Sequence, residues 1–177
     1  ALKLREERKK AAASFEKSLQ NILKTLNMNK VSFMVKFHES KEKGFTMNGI
    51  DNVEFLISTN LGEPLKSLAK IASWGEISRI MLAFKTILAD VDEVETLIFD
   101  EIDTGISGQT AQVVGEKLKS ISSKHQIICI THLPQIASMA DEHFLIEKSV
   151  IDDTTQTTVY RLNYKEKINE IGRLLGG

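Results

Sequence analysis

Residues 96–101 are Thr96-Leu97-Ile98-Phe99-Asp100-Glu101, an apolar run that ends in two adjacent carboxylates. A second run of the same kind, Gln126-Ile127-Ile128-Cys129-Ile130, ends in Thr131-His132. Short continuous apolar runs are typical of strands in parallel sheets, which are covered by helices on both faces. The two runs therefore predict an α/β fold with a mainly parallel sheet and flanking helices.

The segments on either side extend this alternation of strands and helices. Turn residues, among them Gly44 and Gly49, lie in a polar stretch between the first two predicted strands. The pattern predicts strands at residues 31–37, 53–59, 144–147 and 157–162, and helices at residues 77–88, 111–121, 134–140 and 165–175. With 177 residues, the chain has the length of one domain, or of one domain with an appendage.

Residues 1–29 differ from the rest because they contain neither Gly nor Pro and are rich in helix-forming residues. Phe15, Leu19, Ile22 and Leu26 recur at spacings of 4, 3 and 4 residues, which is the seam of a heptad repeat. This segment is predicted to be a helix. It lies either on the surface of its own domain or at the end of a coiled-coil arm, and the periodicity leaves both interpretations open.

Composition excludes several classes of protein. The chain has 23 basic and 24 acidic residues, a balance that lacks the strong positive charge of a stand-alone nucleic-acid binder but is compatible with a local basic patch. Cys129 is the only cysteine, which rules out an internal disulfide framework and a multi-cysteine zinc site. No apolar run reaches membrane-spanning length, and residues 1–10 are charged rather than signal-like. We therefore expect a cytoplasmic protein that does not enter the membrane.

Polar side chains follow both apolar runs, and ligands of parallel sheets bind outside the carboxyl ends of the strands. Asp100 is suited to hydrated Mg²⁺, Glu101 to orienting or deprotonating an attacking water, and His132 follows the neighbouring strand. The alternative interpretation is that Asp100 and Glu101 begin a loop and cap the next helix, while His132 is a hydrogen-bonded loop histidine.

Two further segments combine a structural and a functional interpretation. Ser73 and Glu76 have the spacing of a capping box, and the free backbone N–H groups of such a helix start also suit a phosphate. Residues 103–108 form a glycine-punctuated turn before a helix. No Gly-x-x-x-x-Gly-Lys-Ser/Thr loop occurs. Either the acidic strand end is unrelated to nucleotides, or the phosphate loop belongs to a part of the protein outside this chain.

Three motifs in order carry a family resemblance, namely KIASWGEISR at residues 70–79, TLIFDEIDTGISG at 96–108 and THLPQIA at 131–137. Together they resemble the C-terminal part of the RecN family of bacterial DNA repair proteins. That family is similar to the SMC proteins, whose ABC-type ATPase head is split in sequence by a coiled coil. The resemblance implies that residues 1–29 are the end of a coiled-coil arm and residues 30–177 the C-terminal half of the head. The missing phosphate loop would lie in the N-terminal half.

The resemblance also implies roles for seven residues. Ser73, Gly75 and Glu76 would belong to the ABC signature, which contacts ATP bound to the opposite head. Asp100 would be the magnesium residue and Glu101 the catalytic base. Asp103 would lie in the D-loop, which couples the two sites of a dimer, and His132 would be the switch histidine near the γ-phosphate. One position departs from the family pattern, because Trp74 stands where the family has glycine.

The function implied is that of an SMC-like ATPase in double-strand break repair and recombination, in which ATP closes two heads and hydrolysis releases them. The resemblance implies ATP and Mg²⁺ as cofactors. Its implied partners are the N-terminal half of the same head, a second head in a homodimer, and DNA. The implied location is the bacterial cytoplasm, in association with the nucleoid. The chain alone is expected not to hydrolyse ATP.

Three alternatives remain at this point. One is a structural SMC-type DNA tether, and another is an ABC transporter ATPase subunit. The heptad seam argues against the transporter, and so does Ile102, where transporter subunits usually have proline. The third is a non-catalytic interaction domain whose acidic motifs are helix caps.

Overall fold

The computed structural model describes residues 1–39, 46–70, 73–151 and 154–176. Gly44 of the predicted turn, and Ile71 and Ala72 of the first motif, lie outside these residues. The described helices are α1 (Leu2–Thr25), α2 (Trp74–Leu88), α3 (Gly108–Ile121), α4 (Pro134–Ala137) and α5 (Tyr164–Gly176). The described strands are β1 (Ser32–Glu39), β2 (Asp51–Ser58), β3 (Lys66–Ser67), β4 (Thr96–Phe99), β5 (Gln126–Cys129), β6 (Phe144–Ile151) and β7 (Thr154–Arg161).

Helix α1 packs on α2 and on strand β1 through the apolar seam that its spacing predicts. Leu19 and Leu23 are fully buried, and the Phe15 ring lies 5.1 to 6.2 Å from the rings of Phe33, Phe55 and Phe84. The C-terminal half of α1 therefore belongs to the same hydrophobic core as β1, β2 and α2. The division into an arm at residues 1–29 and a head at residues 30–177 stays a prediction.

The N-terminal half of α1 is fastened to strand β2 and to the turn before it. The Arg5 guanidinium lies 2.7 Å from the Asp51 carboxylate, and Arg8 Nη1 donates to the Asn48 carbonyl at 2.7 Å. The Arg5 hydrogen bond holds the pKa of Asp51 below its usual range. These contacts fix the direction in which α1 leaves the core.

Strands β4 and β5 form a parallel pair, with Phe99 opposite Cys129. Leu97 and Phe99 point into the core, where α3, which connects the two strands, packs on α2 and α4. Both strand positions agree with the sequence prediction to within one residue. Because the strands run in parallel, the segments after Phe99 and after Cys129 emerge at the same edge of the pair.

The sheet itself differs from the expectation of a mainly parallel sheet covered on both faces. Among the described residues, parallel pairing is confined to β4 and β5, while β1–β2–β3 and β6–β7 are antiparallel. The second face of the parallel pair is open, since Ile98 is 67% exposed, Ile128 45% and Ile130 49%. The periodicity correctly identified apolar strands, but their apolar outer side chains are uncovered in this chain.

The C-terminal hairpin is longer than the sequence pattern indicates. Strands β6 and β7 pair along their whole lengths, from Phe144 opposite Arg161 to Ile151 opposite Thr154. The described side chains of their outer halves are exposed and, apart from Val150, polar, so no hydrophobic pattern marks them. Helix α5 follows and packs on α4. Within the described residues, no helix has the length and apolar character needed to cross a membrane.

Candidate active site

Helix α2 begins at the predicted cap. The Ser73 hydroxyl oxygen accepts a hydrogen bond from the Glu76 backbone N–H at 3.4 Å, and the Ser73 carbonyl accepts from Ile77 N at 3.0 Å. Trp74 is the first helical residue, and its side chain is 72% exposed. The indole therefore points outward, and the cap forms without hindrance from it.

Gly75 is buried where the start of α2 meets the loop that follows β4. A Cβ atom on Gly75 would lie 3.0 Å from the Glu101 carbonyl oxygen and 3.0 Å from Thr104 Cβ. At these distances a side chain would require the loop to move by a few tenths of an ångström, so glycine favours the close approach of helix and loop. The need for glycine at this position is thus explained by packing within this chain.

Two residues in the first turns of α2 bind the backbone of the same loop. The buried Arg79 guanidinium donates from Nη1 to the carbonyls of Ile102, at 3.2 Å, and Thr104, at 2.7 Å. Ser78 Oγ donates to the Asp100 carbonyl at 2.7 Å. Burial lowers the pKa of Arg79 from its usual value. The loop after β4 is therefore held to α2 by side-chain hydrogen bonds along its length.

Asp100 and Glu101 are both exposed at the carboxyl end of β4. Strand pairing ends at Phe99, and Glu101 takes a left-handed backbone conformation with φ of 55°. A side chain rarely adopts this region, at a cost of roughly 1 to 3 kcal/mol. The Glu101 carbonyl also accepts from Thr104 N at 3.1 Å, which closes a tight turn. Both carboxylates therefore lie in the turn that follows the strand and not in the strand itself.

Asp103 joins the loop after β4 to the segment after β5. Its side chain is 4% exposed, and Oδ2 accepts from Thr131 Oγ1 at 2.7 Å and from the His132 backbone N–H at 2.9 Å. The His132 ring lies on the same oxygen, with Nδ1 at 3.0 Å, while the ring itself is 73% exposed. The structure therefore brings Asp103 and His132 into direct contact.

Cys129 is the last residue of β5 and lies opposite Phe99 of β4. Burial raises the pKa of its thiol to about 12, and the nearby charges of Asp103 and Asp100 add to the effect. The thiol is therefore protonated and unreactive at neutral pH, in keeping with a packing residue.

An open cleft of about 580 Å³ runs along the free edge of β4 and the adjacent face of α2. Trp74, Ile98, Asp100 and Glu101 are among the residues that line it. The cleft places the one residue that departs from the family pattern beside the two carboxylates of the same chain. Its apolar walls also join the open face of the parallel pair.

The carboxylates at the end of β4 suit a magnesium ion that is bound together with a phosphate ligand. Within the part of the chain that the structure describes, no three His, Cys, Asp or Glu side chains are arranged to hold a metal ion. Mg²⁺ commonly keeps several waters and takes one or two carboxylates plus substrate phosphates. An exposed carboxylate such as Asp100 suits that mode, whereas a site built from protein ligands alone does not fit these residues.

Sequence comparison gives the relationship of the chain. No protein-family model matches it. The DNA repair protein RecN of Halalkalibacterium halodurans is 51% identical over 172 residues, covering 96% of this chain and 30% of that protein. RecN of Bacillus subtilis is 45% identical over 183 residues, covering 96% of this chain and 32% of that protein. The chain belongs to the RecN family. It spans about a third of the length of the curated RecN proteins it matches.

Structural comparison agrees on the fold. The Smc head domain with a coiled coil and joint from Pyrococcus yayanosii aligns with a TM-score of 0.60 at 19% identity, covering 94% of this chain and 30% of that one. A structure from a study of ATP-driven dimerization and DNA-stimulated activation of SMC ATPases aligns with a TM-score of 0.50 at 19% identity, covering 94% of both chains. This RecN-family segment therefore has the fold of part of an SMC ATPase head, which confirms the predicted fold class.

The site contains residues that the sequence analysis did not single out. Ser78, Arg79 and Thr131 hold the loop, yet their partners lie 22 to 28 residues away along the chain. The one signal for Arg79 was a charge beside the buried Ile80, Leu82 and Ala83 of an apolar helix. Ser73, Trp74 and Glu76, by contrast, lie at the exposed start of α2, where the capping pattern predicted a helix to begin. Among the described residues, no hydrogen bond or ion pair joins them to His132.

Proposed function

We propose that this chain is the C-terminal half of an SMC-like ATPase head, preceded by the end of a coiled-coil arm, in a RecN-type DNA repair protein. In the full-length protein, ATP with Mg²⁺ is held between two heads, so that binding closes the heads and hydrolysis releases them. The observation that carries the proposal is the convergence of Asp100, Glu101 and His132 at one edge of the parallel pair β4–β5. Membership in the RecN family supports the role in DNA repair.

The exposed residues divide the work according to their positions. Mg²⁺, when bound with ATP, neutralises charge on the phosphate oxygens. Asp100 is the carboxylate that holds it, and Glu101 accepts a proton from the attacking water. His132 presents its ring at the same edge, where the terminal phosphate would lie. The fixed loop between Asp100 and Thr104 keeps these groups in place, which lowers the cost of orienting them during reaction.

The start of α2 is proposed to meet the nucleotide bound to the second head. Ser73 and Glu76 lie at an exposed helix N-terminus, where free N–H groups favour a phosphate. Gly75 contributes indirectly, because its packing against Glu101 and Thr104 connects this surface to the catalytic loop of its own head. ATP-driven dimerization and stimulation by DNA, as named for one SMC structural neighbour, are the behaviour proposed here.

The N-terminal half of the head is the proposed occupant of the open apolar surface. Ile98, Ile128 and Ile130 expose much of their area on the uncovered face of the parallel pair, and the free edge of β4 lines the cleft. About two thirds of the length of the RecN relatives lies outside this chain. Because the missing phosphate loop would come from that part, the chain alone is proposed to be inactive. The full-length protein would act on DNA in the cytoplasm.

The test is ATP turnover by the full-length protein carrying Glu101→Gln. Losing a general base costs about 10² to 10⁴ in rate, so turnover should fall by that factor while ATP-dependent dimers accumulate. Glu95→Gln is the matched control, because Glu95 is an exposed glutamate at the opposite end of the same strand. Unchanged turnover in Glu101→Gln, or an equal loss in both variants, would contradict the assignment.

The kind of DNA that stimulates turnover separates repair from tethering. We expect linear DNA, which has ends, to stimulate the full-length protein more than closed circular DNA does. Topological retention on closed circles that is released by linearising them, without any preference for ends, would instead favour the structural tether.

A further inference from the structure

The contact between Asp103 and His132 is unusual because one partner is buried and the other is exposed. The Asp103 side chain is 4% exposed and the His132 side chain 73%. Two hydrogen-bond donors, Thr131 Oγ1 and His132 N, converge on the single oxygen Oδ2, and His132 Nδ1 lies 3.0 Å from the same oxygen. An ionised carboxylate only accepts hydrogen bonds, so it fixes the direction of each group that approaches it.

We infer that Asp103 is a positioning residue that acts on His132 of its own head, a role that rests on the proposed function of His132. The carboxylate oxygen 3.0 Å from Nδ1 favours the tautomer of the neutral ring that carries its proton on Nδ1, which leaves Nε2 unprotonated. The partners of the two ring nitrogens decide which nitrogen carries the proton, because an acceptor beside one nitrogen favours the proton there. Within the part of the chain that the structure describes, no hydrogen bond is made by Nε2.

The burial of Asp103 also decides between action within one head and action across a dimer. The resemblance places Asp103 in a loop that couples the two sites of a dimer. A side chain that is 4% exposed, with its Oδ2 already engaged by two hydrogen bonds and by the His132 ring, has little surface to offer a second head. Any influence of this residue on the opposite site therefore passes through the loop or through His132.

The loop that carries Asp103 is itself held on its other side by α2. Arg79 binds the carbonyls of Ile102 and Thr104, the two residues that flank Asp103. The carboxylate is therefore fixed from both sequence neighbours before it meets His132. A positioning residue needs this support, because an unsupported carboxylate would follow the ring instead of fixing it.

The first experiment reads the protonated nitrogen directly. In this chain with ¹⁵N-labelled histidine rings, NMR at a pH where the ring is neutral should show His132 protonated on Nδ1; His132→Gln identifies its signals. Asp103→Ala should shift the proton towards Nε2, whereas Asp103→Asn keeps an acceptor and should retain Nδ1–H. Thr131→Val removes a different hydrogen bond of the same oxygen and should leave the tautomer unchanged.

A wild-type ring protonated on Nε2 overturns the inference, whatever the variants do and whether or not they fold. So does an Asp103→Ala variant that is folded and keeps the wild-type tautomer. Neither result depends on ATP turnover, so a failure of the proposed function would leave this measurement decisive.

The second experiment asks whether Asp103 acts through His132 in the full-length protein. Asp103→Ala should lower kcat by at least about 10-fold, a part of the roughly 10² to 10⁴ that a positioned acid–base group contributes, with KM for ATP little changed. In a His132→Ala background the same substitution should cost nothing further. Independent, multiplying losses would overturn the inference and assign Asp103 a separate role.

Discussion

Glu101 combines a proposed chemical role with an unfavourable backbone conformation. Its φ of 55° lies in the left-handed region, where glycine is at ease and other residues are not. The close packing of Gly75 on the Glu101 carbonyl and the Arg79 hydrogen bonds to the following residues keep the chain in this turn. The packing and hydrogen bonds around the turn thus offset the cost of the left-handed conformation, which holds the Glu101 backbone at the strand end.

This strain gives a prediction that needs no activity. Glu101→Gly and Glu101→Ala both delete the carboxylate, but glycine alone is compatible with the left-handed turn. We expect the glycine variant to be the more stable of the two by about 1 kcal/mol, measured by urea unfolding. Equal stabilities, or a more stable alanine variant, would mean that the turn relaxes when the side chain is lost.

The single side chain of Trp74 changes the surface that is proposed to contact the nucleotide. It stands at the first position of α2, is 72% exposed, and lines the cleft with Asp100 and Glu101. A large ring at a surface where another head is to close occupies space that glycine would leave free. Full-length Trp74→Gly is therefore expected to dimerise at lower ATP concentration than the Trp74 protein, as measured by light scattering. Identical ATP dependence in the two proteins would refute the obstruction.

At the scale of elements, the N-terminal end of α1 is held by a partly buried ion pair between Arg5 and Asp51. The hydrogen bond from Arg5 is the main reason that the pKa of Asp51 lies below its usual 3.8, with the charges of Arg5, Lys9 and Arg8 acting in the same direction. A depressed carboxyl pKa adds stability above the unfolded value, and this stability is lost as pH falls through the folded value.

We therefore expect Asp51→Asn to lower Tm at pH 7, and the difference from the wild type to shrink as pH falls below about 3.8. Thermal unfolding followed by circular dichroism between pH 2 and 7 checks this. Glu7→Gln, an exposed glutamate on the same helix whose ion pair is with Lys10, is the matched control and should show no such trend. A Tm difference that persists undiminished at pH 2 would contradict the ion-pair explanation.

Elements with buried side chains were predicted from the sequence more accurately than exposed ones. The strands β4 and β5 and the helix α2 carry core residues at regular spacing, so the pattern located them closely. The outer half of the β6–β7 hairpin carries no buried side chains, and its strands were therefore predicted too short. The parallel pairing was expected, whereas the antiparallel sheets on either side were not, because alternation along one strand does not specify its partner.

The site was predictable in its exposed residues and not in its supports. Acidic residues at a strand end and a histidine after the next strand are visible as linear patterns. The hydrogen bonds from Arg79 to backbone carbonyls, and the burial of Asp103, depend on contacts across 23 to 29 residues of chain. Such contacts leave no periodic signal in a single sequence. Every residue has a backbone carbonyl, so the residue type does not show which carbonyl accepts a hydrogen bond.

At the scale of the whole molecule, two groups of neighbouring apolar side chains are exposed. The open face of the parallel pair and one face of the hairpin, with Ile146 opposite Val159, both lie towards solvent. Contiguous exposed apolar patches of this kind mark interaction surfaces. The proposed N-terminal half would have to cover the first of these faces for the head to be complete.

The chain alone is therefore expected to bind a hydrophobic dye and to self-associate, and the separately produced N-terminal half should suppress both. Dye fluorescence and size-exclusion chromatography measure the two effects. Ile98→Lys should reduce dye binding, whereas Leu61→Lys, at a 75% exposed leucine away from this face, should not. A monomeric chain without dye binding, unaffected by the N-terminal half, would contradict the proposed completion of the head.

The indole of Trp74 gives the chain an optical property as well. It is the only tryptophan among the 177 residues, and it projects from the start of α2 beside the cleft. Its emission therefore comes from one known place, undiluted by other indoles in the chain. Whatever covers that surface, nucleotide, neighbouring segment or second copy, will change the colour and the quenching of this single native fluorophore, so that assembly can be followed in unlabelled protein.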